Sequence, residues 1–202
     1  MARILLGVTG GIAAYKAPDL CSALIKNGHV VQVIMTEAAK KFITPLTLAV
    51  MSKNPVYDES SEWCVVSGAS YDIKHISLSK WAELFVVAPA TANTIAKMAY
   101  GIADNLLTST YLALPRAPMI GATMVAMDVL IFPAMNTNML NHSATVENLD
   151  KLRGRANHHV IMPVSGMLAC GDVGDGKFPA VRDIVDRINW QLSNPGAERG
   201  QR

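Results

Sequence analysis

Charge is scarce in this sequence. Of 202 residues only 17% are Asp, Glu, Lys or Arg, against roughly 25% in an ordinary soluble domain. The signs nearly cancel, with 18 basic and 16 acidic residues leaving a net charge of +2. No run of Lys and Arg builds a basic stripe, which argues against nucleic acid as a partner, and no acidic tail is present. Cysteine is also scarce: Cys21, Cys64 and Cys170 are odd in number and lack CxxC spacing, so neither a disulfide framework nor a metal site is expected. Long apolar runs are missing too. The longest charge-free stretch, Val129 to Val146, is interrupted by Pro133, Asn136, Asn138, Asn141, His142 and Ser143, whereas a spanning helix needs about 20 mainly apolar residues. Arg3 precedes a short apolar run with no signal-peptide pattern. A cytoplasmic protein without membrane contact is expected.

Apolar residues, by contrast, make up 50% of the chain. So little polar surface cannot comfortably cover a lone domain, and part of it is expected to be buried between subunits, the methionine-rich run from Met119 to Met139 above all. The length suits one domain over residues 1–192 with a polar tail over 193–202. Buried strands are expected at Arg3–Thr9, Val30–Met35, Leu84–Ala88, Val129–Phe132 and Val160–Met162. Helical spacing fills Ile12–Ile25, Ala92–Tyr100, Asn105–Leu112 and Arg182–Leu192. This alternation predicts an α/β fold: a single-domain, Rossmann-like (flavodoxin-like) three-layer sandwich around a parallel sheet. Ligands in such folds bind beyond the carboxyl ends of the strands, where the strand order reverses.

Four strand ends carry small, hydroxyl or amide residues: Thr9-Gly10-Gly11, Thr36, Pro89-Ala-Thr-Ala-Asn-Thr94 and Pro133-Ala-Met-Asn136. If they converge, they line one pocket. Gly10-Gly11 suits a phosphate at a helix start, although it lacks the G-x-G-x-x-G spacing of a dinucleotide site, and a plain tight turn fits equally. Thr91, Asn93 and Thr94 are uncharged donors; they are also ordinary helix caps. His75 stands alone upstream of the third strand, as surface histidines often do. Cys170 lies in Gly166-Met-Leu-Ala-Cys-Gly-Asp-Val-Gly-Asp-Gly176, which reads as a mobile, lid-like loop.

Three stretches together carry a resemblance over about Arg3–Ile188. Pro89–Thr94 looks like the PASANT motif, Pro133–Met139 like PxMNxxMW, and Leu168-Ala-Cys-Gly-Asp172 like a substrate-clamp loop. They occur in the order found in the flavin-dependent cysteine decarboxylases, with His75 upstream. The sequence thus resembles that family, and within it the branch acting on 4′-phosphopantothenoylcysteine in coenzyme A biosynthesis. The resemblance implies FMN as cofactor, held by Gly10, Gly11, Ile12, Thr36, Thr91, Ala92, Asn93, Thr94 and Ala134. It implies substrate contacts from Asn136, Met139 and Ala169, His75 as base, reaching the flavin of a neighbouring subunit, and Cys170 as final proton donor. A homotrimer or an assembly of trimers is implied as well.

Two alternatives stay open. Relatives acting on C-terminal peptidyl cysteines generally lack the Ala-Cys-Gly-Asp loop, and non-catalytic flavin-binding regulatory subunits often have altered His or Cys residues. The sequence departs from the family at Leu140, where an aromatic residue is usual, and at Thr91, which keeps the hydroxyl of Ser. The stretch Ala117–Asp128 is longer than the family's. No ligase segment follows, so the substrate is expected from a separate enzyme.

Overall fold

The computed structural model describes residues 1–62, 72–115, 126–169 and 171–195. The chain runs through β1 (Arg3–Val8), a 3-10 turn (Ile12–Lys16), α1 (Ala17–Lys26), β2 (Val30–Met35), α2 (Pro45–Ser52), β3 (Val56–Tyr57) and α3 (Glu59–Glu62). It continues with α4 (Lys74–Trp81), β4 (Leu84–Ala90), α5 (Ala92–Tyr100), α6 (Leu106–Leu112), β5 (Asp128–Pro133), α7 (Thr137–Asn141) and α8 (Ser143–Arg153). It ends with β6 (His158–Val160), β7 (Val164–Met167), β8 (Val173–Lys177) and α9 (Val181–Ser193).

Six strands form a parallel sheet in the order β3-β2-β1-β4-β5-β6. Without the two-residue edge strand β3, the remaining five follow the flavodoxin-like order. The inner strands are apolar on both faces, because helices cover both. In β1, Ile4, Leu6 and Val8 join a core built with Leu20 and Leu24 of α1, Leu48 of α2 and Ile184 and Ile188 of α9. Leu5 points the other way, into a second core with Ile95 and Met98 of α5, Leu107 of α6 and Leu149 and Leu152 of α8. Gly7 keeps that second face open: a Cβ there would lie 2.8 Å from Leu107 Cδ1. Helix ends are locally encoded. Thr91 Oγ1 accepts from Thr94 N–H to start α5, and Gly101, at φ 72°, closes it. Arg155 donates to the carbonyls of Met98 and Ala99 at 3.0 and 2.8 Å, satisfying groups that the end of α5 leaves open.

Five strands match the sequence reading, one of them shifted, and a hairpin is added. The last sheet strand is His158–Val160 rather than Val160–Met162, because His159 is buried against Asp128 and hides a core position behind a polar name. The glycine-rich segment expected as a mobile loop contains an antiparallel hairpin, β7–β8. Its strands are largely exposed and lack apolar alternation, so periodicity could not announce them. Helices α3, α4, α7 and α8 also passed unread, α3 lying where a polar loop was expected from about Asp58 to Asp72. No helix among the described residues is long and apolar enough to cross a membrane. Most of the Ala117–Asp128 stretch and most of the polar tail lie outside the described residues.

Candidate functional site

Between β1 and β4 the sheet reverses direction of growth, and a cavity of about 1050 Å³ opens beyond their carboxyl ends. All four small-residue edges meet there. Gly10, Gly11 and Ile12 follow β1, Thr36 follows β2, Thr91 to Thr94 follow β4, and Ala134 and Asn136 follow β5; each lines the cavity. Met139 and Ala169 line it as well.

The turn after β1 is close-packed. A Cβ on Gly10 would sit 2.2 Å from Ala38 Cβ and 2.6 Å from its carbonyl carbon. Only glycine lets the β2 loop approach so near, and with it Thr36 and Glu37. Beside this turn, buried Thr9 donates its hydroxyl to the Pro89 carbonyl and accepts from Thr91 N–H. Thr91 caps α5 through its hydroxyl and also lines the cavity, so the capping role does not remove this segment from the cavity wall.

The β7–β8 hairpin forms the far wall, through Met167, Leu168, Ala169, Gly176 and Lys177. It is fastened to the Pro133–Asn136 loop. Met135 N–H donates to the Gly176 carbonyl at 3.1 Å, and Thr137 Oγ1 donates to the Asp175 carbonyl at 2.6 Å. A Cβ on Gly176 would lie 2.1 Å from Met135 O, at a φ of 127°. Asn136 caps α7 by accepting from Asn138 N–H at 2.8 Å, while its amide reaches Asp172 Oδ2 at 3.4 Å.

Several charged lining residues carried no sequence signal. Lys97 is neutralised by Asp104 at 2.6 Å, whose hydrogen bonds from Lys97 hold the carboxyl below its usual range. Near Glu37, hydrogen bonds to Asp58 and Glu37 push the Lys40 ammonium up to about 12. Burial, reinforced by Glu37, raises the Glu59 carboxyl above its ordinary value. Lys16 Nζ lies 5.9 Å from the centroids of Tyr15 and Phe178. Neither Lys16 nor Lys177 has a carboxylate within salt-bridge distance among the described residues. Lys16 was legible in principle, lying one turn beyond the glycine pair; Lys97 and Asp104 fall in no motif.

One expected site residue, among those described, is not in the cavity wall. His75 stands in the first turn of α4, with Nδ1 against Glu62 Oε1, and is absent from the cavity lining. Cys170 and Cys64 lie outside the described residues. Cys21 is buried in α1 and faces the core, as its helical position implied. Among the described residues no cluster of His, Cys, Asp or Glu could hold a metal ion.

The profile of the family described as Flavoprotein matches residues 1–193. A probable phosphopantothenoylcysteine decarboxylase of Streptococcus mutans is 45% identical over 190 residues, covering 94% of this chain and 98% of that protein. The coenzyme A biosynthesis bifunctional protein CoaBC of Vibrio cholerae is 44% identical over 183 residues, which are 91% of this chain but 42% of that protein. Among solved structures, a cysteine-to-serine mutant of PPC decarboxylase complexed with pantothenoylaminoethenethiol superposes with a TM-score of 0.84 at 29% identity, covering 96% of this chain and 99% of that one. An FMN-binding protein follows at a TM-score of 0.79 and 30% identity, over 95% and 97% of the two chains.

Proposed function

The chain belongs to the flavoprotein family, and from that premise we propose that it is an FMN-dependent decarboxylase converting 4′-phosphopantothenoylcysteine to 4′-phosphopantetheine in coenzyme A biosynthesis. The observation that carries this reading is the convergence of Gly10–Ile12, Thr36, Thr91–Thr94 and Ala134–Asn136 on one cavity at the switch in strand order. The cavity fits FMN. Gly10 lets the β2 loop, with Thr36, close against the turn after β1 at the cavity edge, and the Thr91–Thr94 edge offers hydroxyl and amide donors without bulk or net charge.

FMN, when bound, supplies a two-electron oxidation of the substrate thiol and returns the pair at the end. The chain's own residues do the rest. His75 takes the thiol proton, as an imidazole can near neutral pH. The substrate then carries a thioaldehyde beta to its carboxylate, an electron sink that a plain cysteine lacks. Carbon dioxide leaves with the bond electrons delocalised onto sulfur, giving an enethiolate. Asn136 holds the carboxylate and amide, with Met139 and Ala169 packing alongside, and Cys170 donates the proton that completes the saturated thiol. The neighbouring Lys16 and Lys177 leave positive charge for the phosphate end of the substrate.

His75 lies off its own chain's cavity, which suits a base serving a neighbouring subunit. Half-exposed or more open apolar residues outside the cavity, such as Leu46, Val50 and Leu112, suit burial in a homotrimer or an assembly of trimers acting in the cytoplasm. Purified protein is expected to be yellow, to release carbon dioxide and to form 4′-phosphopantetheine. Protein that cannot be loaded with FMN would overturn the reading. A C-terminal cysteine peptide assayed in parallel discriminates the peptidyl-cysteine alternative, and a yellow but inactive protein would mark a regulatory subunit.

A further inference from the structure

The His75 ring is gripped by a carboxylate that the reaction above leaves without a task. Glu62, at the end of α3, sets Oε1 against His75 Nδ1. The two side chains are 14% and 28% exposed, so the pair is shielded from bulk water while the imidazole keeps an open edge. Glu62 Oε2 is buried and has no hydrogen-bond partner among the described residues. The surrounding charges are otherwise engaged. Lys74 pairs with Asp72 at 2.5 Å and lies 5.2 Å over the Tyr57 ring, and Asp58 pairs with Lys40 at 2.7 Å. Helix α6, which packs on α3, brings no charged side chain. Among the described residues, His75 is therefore the one cationic partner within reach of Glu62.

A buried carboxylate oxygen without a donor costs free energy. Such a group fits a place where positive charge develops during turnover. We propose that Glu62 is a positioning residue for His75. It accepts from Nδ1–H, fixing that tautomer and leaving Nε2 as the proton acceptor, and it stabilises the imidazolium formed when Nε2 takes the thiol proton. In that step the S–H bond breaks, an Nε2–H bond forms, and the Glu62 carboxylate stays ionised. The inference rests on the reading of His75 as the base.

The test uses FMN-loaded full-length protein with phosphopantothenoylcysteine. Glu62→Gln is expected to lower kcat about 100-fold with KM and flavin absorbance unchanged, and Glu62→Asp to recover most of the loss. Nitrogen-15 NMR of histidine-labelled protein should find the neutral His75 ring protonated on Nδ1 in the wild type and on Nε2 in Glu62→Gln. Wild-type kcat in Glu62→Gln, or a wild-type ring protonated on Nε2, overturns the proposal. If Glu62→Gln does not fold, the wild-type spectrum and Glu62→Asp still decide. A parallel His75→Gln variant separates the two levels. Full turnover there sinks the base assignment itself, whereas an inactive His75→Gln beside a normal Glu62→Gln sinks only the pairing.

Discussion

Thr9 and Thr91 are joined through a single hydroxyl group. Thr9 Oγ1 donates to the Pro89 carbonyl at 2.7 Å and accepts from Thr91 N–H at 3.0 Å, so the end of β1 is stitched to the start of α5 across the floor of the cavity. Thr9 is fully buried, and water cannot replace it. Thr9→Val keeps the shape and removes both bonds, leaving a carbonyl and an N–H unsatisfied. It is expected to lower Tm by roughly 3–10 °C and to weaken flavin retention; thermal unfolding with and without added FMN measures both.

Close packing makes a sharper demand at Gly10. A Cβ there would meet the Ala38 backbone at 2.6 Å, and backbone cannot swing aside as a long side chain can. Gly10→Ala is expected to purify colourless and with a clearly lower Tm. The control is Gly28→Ala. Gly28 has a φ of 82° and open space around it, so alanine there costs only about 1–2 kcal/mol of backbone strain and the protein should stay yellow. Equal flavin content in the two variants would contradict the packing argument.

The contrast also marks what a sequence can carry. Strands β1, β2, β4 and β5 were legible because both their faces are buried, so apolar runs announce them. The four cavity edges were legible because small and hydroxyl residues cluster at strand ends. Strand β3 has two residues, too few for a pattern. The β7–β8 hairpin is held by hydrogen bonds from Met135 N–H and the Thr137 hydroxyl to its carbonyls rather than by an apolar face, and such isolated bonds leave no mark in composition. Glu62 and His75 are thirteen residues apart in sequence, a spacing that corresponds to no motif and becomes meaningful only once α3 and α4 are packed together.

Asp58 and Glu59, adjacent in sequence, should respond to pH in opposite senses. Burial alone would push Asp58 up, but hydrogen bonds from Lys40 and Ser60 outweigh it and hold the carboxyl below its usual value. Its stabilisation is present above the unfolded carboxyl value of about 4 and is lost as pH falls through the lower folded value. Glu59 is raised, chiefly by burial, so its ionisation opposes folding, and that penalty is complete only above its folded value. Asp58→Asn should therefore destabilise the protein at neutral pH and Glu59→Gln should stabilise it. Both differences should shrink as the pH is lowered through the carboxylate range, which urea titrations at a series of pH values will read.

Burial pushes the Cys21 thiol up to about 12, and its side chain is fully enclosed in α1. Only the thiolate reacts with an alkylating reagent at a useful rate. Iodoacetamide applied to native protein near pH 8 should leave Cys21 unmodified, and the same reagent in denaturant should label it, as peptide mass analysis will report. Labelling of native protein at Cys21 would mean that α1 opens from the sheet far more readily than its packing implies.

Charge balance in the cavity separates one end of the substrate from the other. Lys97 is cancelled by Asp104, and the Thr91–Thr94 edge is neutral, so neither attracts an anion strongly. Lys16 and Lys177 face the same cavity with no carboxylate in salt-bridge distance among the described residues. A phosphate placed there gains a charge-assisted contact at a partly open site, worth about 1 kcal/mol per lysine, or roughly fivefold in affinity. Lys16→Gln and Lys177→Gln should each raise KM for phosphopantothenoylcysteine by roughly that factor while leaving kcat intact. For the same substrate without its phosphate, neither variant should change KM. If both substrates lose affinity equally, these lysines shape the cavity rather than read the phosphate, and the phosphorylated end must be recognised elsewhere.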